Sequence, residues 1–141
     1  MIDQSVADVM TPDVHTLTDE TTACAVATLF SDHSIGSAVV VDDEGDPVGI
    51  VTESDIMEQV AAGADISAVR VDSFMTTPLI TVPSTEDIHR AATVMKDNSI
   101  RRLPVVDDGD LVGILTTTDL THYLPRLRNT ILRDRSELAG H

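Results

Sequence analysis

The apolar positions of this chain follow two periods, and the whole pattern occurs twice. Extended pieces, VHTL (14–17) and LITV (79–82), lead into stretches with helical apolar spacing, TACAVATLFSDH (22–33) and TEDIHRAATVMKDN (85–98). A β-branched run follows, SAVVVD or RLPVVD, then an Asp/Gly turn, then VGIVT or VGILT. A second helix is predicted at roughly 53–62 and 117–124. Ser84 and Asp87 read as a helix start, a hydroxyl taking an orphan N–H with a carboxylate in the first turn. The order strand, helix, strand, strand, helix is thus written twice, joined around GADISAVR.

Direct alignment makes the duplication explicit. With an offset of 65, Met10-Thr11 falls on Met75-Thr76, Thr16 on Thr81, Ala27-Thr28 on Ala92-Thr93, Ser34-Ile35 on Ser99-Ile100. Val40-Val41-Asp42-Asp43 falls on Val105-Val106-Asp107-Asp108. One residue is then lost in the second turn, DDEGD against DDGD, and the offset becomes 64 through Val48-Gly49-Ile50, Thr52 and Asp55. A copy of about 60 residues buries too little surface to be secure alone. The expected fold is therefore mixed α/β (α+β), two β-α-β-β-α motifs related by a pseudo-twofold axis. Their sheets would face each other with helices outside, leaving two related clefts. The expected boundaries are 5–62 for the first motif, 63–69 for a linker, 70–125 for the second motif and 126–141 for a C-terminal basic tail.

The most informative duplicated feature is GIVTESD (49–55) beside GILTTTD (113–119). Each runs from a buried strand into a helix through Thr-x-x-Asp. Its ordinary role is a capping box, which stabilises a helix by about 1 kcal/mol. Capping is compatible with binding, since free N–H groups, a hydroxyl and a carboxylate can also hold a ribose or phosphate. Arg101-Arg102 stands just before the middle strand of the second copy, where the first copy has Gly36-Ser37. The ordinary reading of such a pair is solvated bridges to the plentiful aspartates.

Taken together, the Met-Thr leads, the Thr-x-x-Asp turns, the Val-Val-Asp runs and their spacing resemble a tandem pair of CBS domains, the cystathionine-β-synthase-type regulatory module. The resemblance covers roughly residues 5–125. It implies a non-catalytic sensor of adenosyl ligands, AMP, ADP or ATP foremost, with S-adenosylmethionine or an NAD-type ligand as alternatives and no obligatory cofactor. It implies that Asp55 and Asp119 bind ribose, that Thr52 and Thr116 hold ribose or phosphate, and that Thr16 and Thr81 touch the ligand from the first strand. Ile50 and Ile114, with Ile35, Ala38, Ile100 and Leu103, would lie against the base. Arg101 and Arg102 would face phosphates. Gly36-Ser37 departs from that arrangement, so phosphate affinity should be lopsided. Such pairs often dimerise through their helices, which makes a homodimer and an unidentified regulated protein the expected partners.

Charge narrows the partners further. The chain has 24 acidic and 9 basic residues, for a formal charge of -15, and Lys96 is its only lysine. Such a surface suits a protein from a salt-loving organism or an ordinary acidic protein kept in solution by its charge. Either way nucleic acid and anionic lipid are poor partners. No apolar run approaches the roughly 18 residues of a membrane span, and the first ten residues do not read as a signal peptide. Cys24 is the only cysteine, which suits a reducing cytoplasm, and its place on the apolar side of the first helix predicts a core residue. His15, His33, His89, His122 and His141 are scattered without metal-ligand spacing, and no nucleophile, base or metal set points to an enzyme. The tail carries Arg126, Arg128, Arg133 and Arg135 beside Leu124, Leu127, Ile131 and Leu138, a stripe expected to dock on its own domain or a second subunit. A dimeric scaffold with empty clefts is the competing function.

Overall fold

A computed structural model describes residues 4–123. Its elements run α1 (Val6–Val9), β1 (Thr16–Thr18), α2 (Ala23–His33), β2 (Ser37–Val41), β3 (Pro47–Thr52), α3 (Glu53–Ala61), a 3-10 turn (Val71–Ser73), α4 (Ile88–Asn98), β4 (Arg102–Asp107), β5 (Asp110–Thr116) and α5 (Thr117–Tyr123). Among the described residues no helix is long and apolar enough to cross a membrane. The expectations for 126–141 and for Leu124 lie outside the described residues.

The chain divides into two compact units, and each takes its leading segment from the other repeat. One unit contains 14–80 with 109–111; the other contains 4–13, 81–108 and 112–123. In the first, β1 pairs in parallel with β2, and β2 antiparallel with β3. Leu17, Ala38, Val40 and Val51 of that sheet bury against Ala23, Val26 and Phe30 of α2 and Ile56 of α3. Residues 75–76 border β3, where Ile50 and Thr76 exchange N–H···O bonds of 3.2 and 2.9 Å. In the second unit residues 4–11 do the same for the second repeat. Thr11 and Ile114 exchange bonds of 2.9 Å in both directions, and Val6 and Val9 are buried.

The segment 63–69, expected only to connect, is built into the first unit. The Val69 and Ile66 carbonyls accept the N–H groups of Ala23 and Cys24, and the Thr22 hydroxyl accepts from Ala25 at 3.2 Å. The orphan donors that open α2 are thereby satisfied. The same geometry recurs at α4, where the Gln4 carbonyl accepts from Ile88. There the cap is Asp87, whose carboxylate accepts the His89 N–H at 2.7 Å, and the helix begins at Ile88. Ser84, expected at this helix start, instead gives its N–H and hydroxyl to the Asp107 carboxylate at 2.8 and 2.5 Å.

The two copies differ where the sequence differs by one residue or one donor. The second hairpin turns through Asp108 (φ 51) and Gly109 (φ 85), the two left-handed positions of a type I′ turn, which accounts for the missing residue. LITV does not form a strand to match β1; only Val82 bridges Val105. The reason is Pro104. Its counterpart Val39 donates to the His15 carbonyl at 3.1 Å, and a proline has no N–H to donate to Ile80.

Candidate functional site

The register of the three-stranded sheet sorts the candidate residues of the first repeat. Thr16 pairs with Val39 and Val39 with Ile50, so these three form one row on one face. Ser37 and Thr52, two residues further along their strands, share that face. Thr16 is exposed, while Ile50, Thr52, Asp55 and Ile35 are half-buried. Ala38 does not join them. It belongs to the opposite, helix-packed face and is 1% exposed. Leu103 occupies the corresponding place in β4 and is fully buried. Val39, from the β-branched run SAVVVD, lies between Thr16 and Ile50 in that row and is itself fully buried.

Both Thr-x-x-Asp turns close as capping boxes, with a difference in the hydroxyl. At the start of α3 the Thr52 N–H and hydroxyl both donate to Asp55 Oδ2, at 2.8 and 3.2 Å. At α5 the Thr116 N–H donates to Asp119 Oδ2 at 2.9 Å, and the Thr116 oxygen accepts the Asp119 N–H at 3.1 Å. Neither turn uses the second carboxylate oxygen. Each is tied back to the residue that precedes the middle strand: the Glu53 N–H donates to the Gly36 carbonyl, and the Thr117 N–H to the Arg101 carbonyl, both at 3.1 Å. In the second unit Arg101 is exposed and Arg102 half-buried; among the described residues neither forms an ion pair. Thr81 is exposed, and Ile100, Ile114, Thr116 and Asp119 are half-buried.

The strands that lead to these turns carry glycines because a second chain segment crosses them. A Cβ on Gly49 would stand 2.7 Å from Met75 Sδ and 3.1 Å from the Thr76 carbonyl oxygen. On Gly113 it would stand 2.5 Å from Met10 Sδ and 3.0 Å from the Thr11 carbonyl oxygen. The duplicated Met-Thr pairs therefore seat on the duplicated Val-Gly-Ile strands. Sequence alone could pair the motifs with each other but not with their partners.

Several other groups fall outside the expected set. The rings of His15 and His33, distant in sequence, lie 4.9 Å apart. Asp19, Glu20 and Asp43 each bring one oxygen within 4.8 Å of the others, at a solvent-facing position. Cys24 is exposed, contrary to its expected place in the core, because the buried side of α2 is formed by Ala23, Val26 and Phe30. A groove of about 520 Å³ runs between α2 and α3, lined by Phe30, Ile35, Glu53, Ile56 and Met57 among others. Met57 is 71% exposed and Val60 57%. Of the charged groups, Asp107 has its carboxyl held below the usual range by the Ser84 hydroxyl and N–H. Arg70 is raised by its 2.7 Å bond to Asp72.

The CBS domain family model matches residues 6–62 and 71–126. The chain belongs to the CBS domain family. An uncharacterized protein of Methanopyrus kandleri is 39% identical over 129 residues, covering 90% of this chain. The chain spans 66% of that relative's length, and 34% and 44% of two uncharacterized proteins of Methanocaldococcus jannaschii. Among solved structures, a conserved CBS domain protein from Thermoplasma acidophilum superposes with a TM-score of 0.83 at 28% identity, covering 96% of this chain and 78% of that one. The CBS domain pair of protein MJ0100, crystallised with 5′-methylthioadenosine and S-adenosyl-L-methionine, superposes with a TM-score of 0.78 at 28% identity, covering 86% and 95%. The tandem CBS pair thus accounts for the duplication, the element order and the mixed α+β class.

Proposed function

We propose that this CBS pair is a non-catalytic regulatory module that binds an adenine nucleotide, AMP, ADP or ATP, or another adenosyl compound. The observation that carries the reading is the duplicated Thr–Asp turn. Each turn is half-buried and keeps one carboxylate oxygen outside the capping bonds. A carboxylate accepts two ribose hydroxyls naturally, as an acceptor with two oxygens. Asp55 and Asp119 would take the ribose, Thr52 and Thr116 the ribose or phosphate, and Thr16 and Thr81 the ligand's near side. Ile35, Ile50, Ile100 and Ile114 supply apolar surface for the base. Arg101 and Arg102 supply the phosphate charge, in one repeat only. The methylthioadenosine and S-adenosylmethionine held by the MJ0100 pair support the adenosyl class. A ligand that favours one arrangement of the chain shifts it, and the shift is the signal. With a single cysteine, the module fits a reducing cytoplasm.

A second reading, a dimeric interaction scaffold without ligand, is favoured by the exposed Met57 and Val60 beside the α2–α3 groove. One thermal-shift panel in concentrated potassium chloride separates the two. A ligand at a hundredfold excess over its dissociation constant adds about 2.7 kcal/mol, a rise of roughly 8–10 °C for a chain of this size. The rise should shrink for Asp119→Ala and for Arg102→Ala. A rise that survives both substitutions unchanged refutes the site, and no response to any adenosyl compound leaves the scaffold.

A further inference from the structure

The first unit brings together two histidines that the sequence keeps apart. His33 is the last residue of α2, and His15 immediately precedes β1. Their ring centroids stand 4.9 Å apart, with the planes tilted by 47°. Both backbones are pinned. The His15 carbonyl accepts the Val39 N–H at 3.1 Å, and the Ser34 and Ile35 N–H groups close the end of α2 on the Phe30 carbonyl. His15 is half-buried and His33 exposed, so the pair is anchored and a solute can reach it.

Two imidazoles that share one ion, through nitrogens about 2.0–2.1 Å from it, have centroids roughly 4.5–5.2 Å apart for bond angles between about 90° and about 109°. The observed separation falls inside that window. Rings stacked flat on each other could not aim nitrogens at one point, whereas rings tilted by 47° can. We propose that His15 and His33 form a binding site for one divalent transition-metal ion of the zinc class. Each ring gives one nitrogen, and water fills the remaining positions. Such an ion ties the end of α2 to the start of β1. The net charge of -15 draws cations of every kind toward the chain. Imidazole is what selects zinc over magnesium, whose preferred ligands are oxygens. The site is independent of the adenosyl-binding reading. Packing of the two rings is the competing role, since 4.9 Å is also ordinary for an aromatic pair. Packing alone predicts no response to zinc.

The test is calorimetric and thermal titration of the metal-stripped full chain with zinc chloride, with and without a large excess of magnesium. Zinc should bind at one equivalent per chain, and a tenfold free excess over its dissociation constant should raise the melting temperature by about 4–5 °C. His15→Asn and His33→Asn should each weaken zinc by about tenfold or more, since losing a ligand costs at least as much as losing the group that orients one. His15→Gln stands in reserve if the asparagine variant does not fold. His89→Asn, at an exposed position of α4, should leave the affinity unchanged. Neither heat nor a melting shift up to millimolar zinc overturns the proposal. So does zinc affinity that survives both pair substitutions, or that falls as far with His89→Asn. A response that magnesium reproduces or abolishes places the ion on carboxylates and overturns it as well.

Discussion

Gly113→Ala tests the seat of the first Met-Thr pair. The added methyl would stand 2.5 Å from Met10 Sδ, 3.0 Å from Met10 Cγ and 3.0 Å from the Thr11 carbonyl oxygen. Ordinary contact begins near 3.5 Å. The sulfur is the far end of a flexible side chain and can rotate away. The carbonyl cannot, because Thr11 and Ile114 exchange two 2.9 Å bonds. Lifting the segment off would forfeit those two bonds, about 1 kcal/mol each. It would also expose Val6 and Val9, at about 1.5–3 kcal/mol apiece. Local strain is the cheaper response, and overpacking of this kind costs about 1–3 kcal/mol. Against it, alanine in a strand is better than glycine by about 0.5–1 kcal/mol. The net expectation is destabilisation of about 1–2 kcal/mol, a melting temperature lower by roughly 3–8 °C. Thermal and urea unfolding followed by circular dichroism would measure it. Met10→Ala in the same chain should recover part of the loss, since it removes the sulfur contact and leaves the carbonyl. A Gly113→Ala protein that melts at or above the native temperature would refute the seating.

Other expected outcomes follow from the same structure. Pro104→Val should supply the missing N–H and produce a slowly exchanging amide at 104, as expected at its counterpart Val39; rapid hydrogen exchange there would show that proline is not what shortens the strand. Asp107 has a lowered folded pKa, so its contribution is present above its ordinary value near 3.8 and is lost as pH falls through the lowered one. Ser84→Ala should therefore raise the acid-unfolding midpoint and leave the difference in stability constant above about pH 5. Cys24 should react with a maleimide in the folded protein at one equivalent, without denaturant; protection in the native state would return it to the core. Leu103→Ala should cost about 2–5 kcal/mol in urea unfolding, as expected for a fully buried leucine.

Local chemistry and internal repetition made much of this protein legible from its residues. The two helical periods, the β-branched runs and the Asp/Gly turns name their elements, because those signals act over a few neighbouring residues. The capping boxes at Thr52–Asp55 and Thr116–Asp119 were legible for the same reason. The CBS family followed from the duplication, and the candidate site from the family. Burial was harder to read. Cys24 lies outside the core because a period of 3.6 leaves a side chain at the edge of the apolar stripe to be decided by what packs there. Ala38 sits on the helix-packed face because a strand turns each successive residue to opposite sides, and pairing decides which side is which.

Tertiary structure alone decided which segments belong together. Met10-Thr11 seats on Gly113-Ile114 and Met75-Thr76 on Gly49-Ile50, so each unit borrows its border from the other repeat. No local pattern encodes that exchange, since identical motifs could as well pair within a copy. Chain connectivity and close packing against two glycines make the choice, and both act over distances that no sequence window spans.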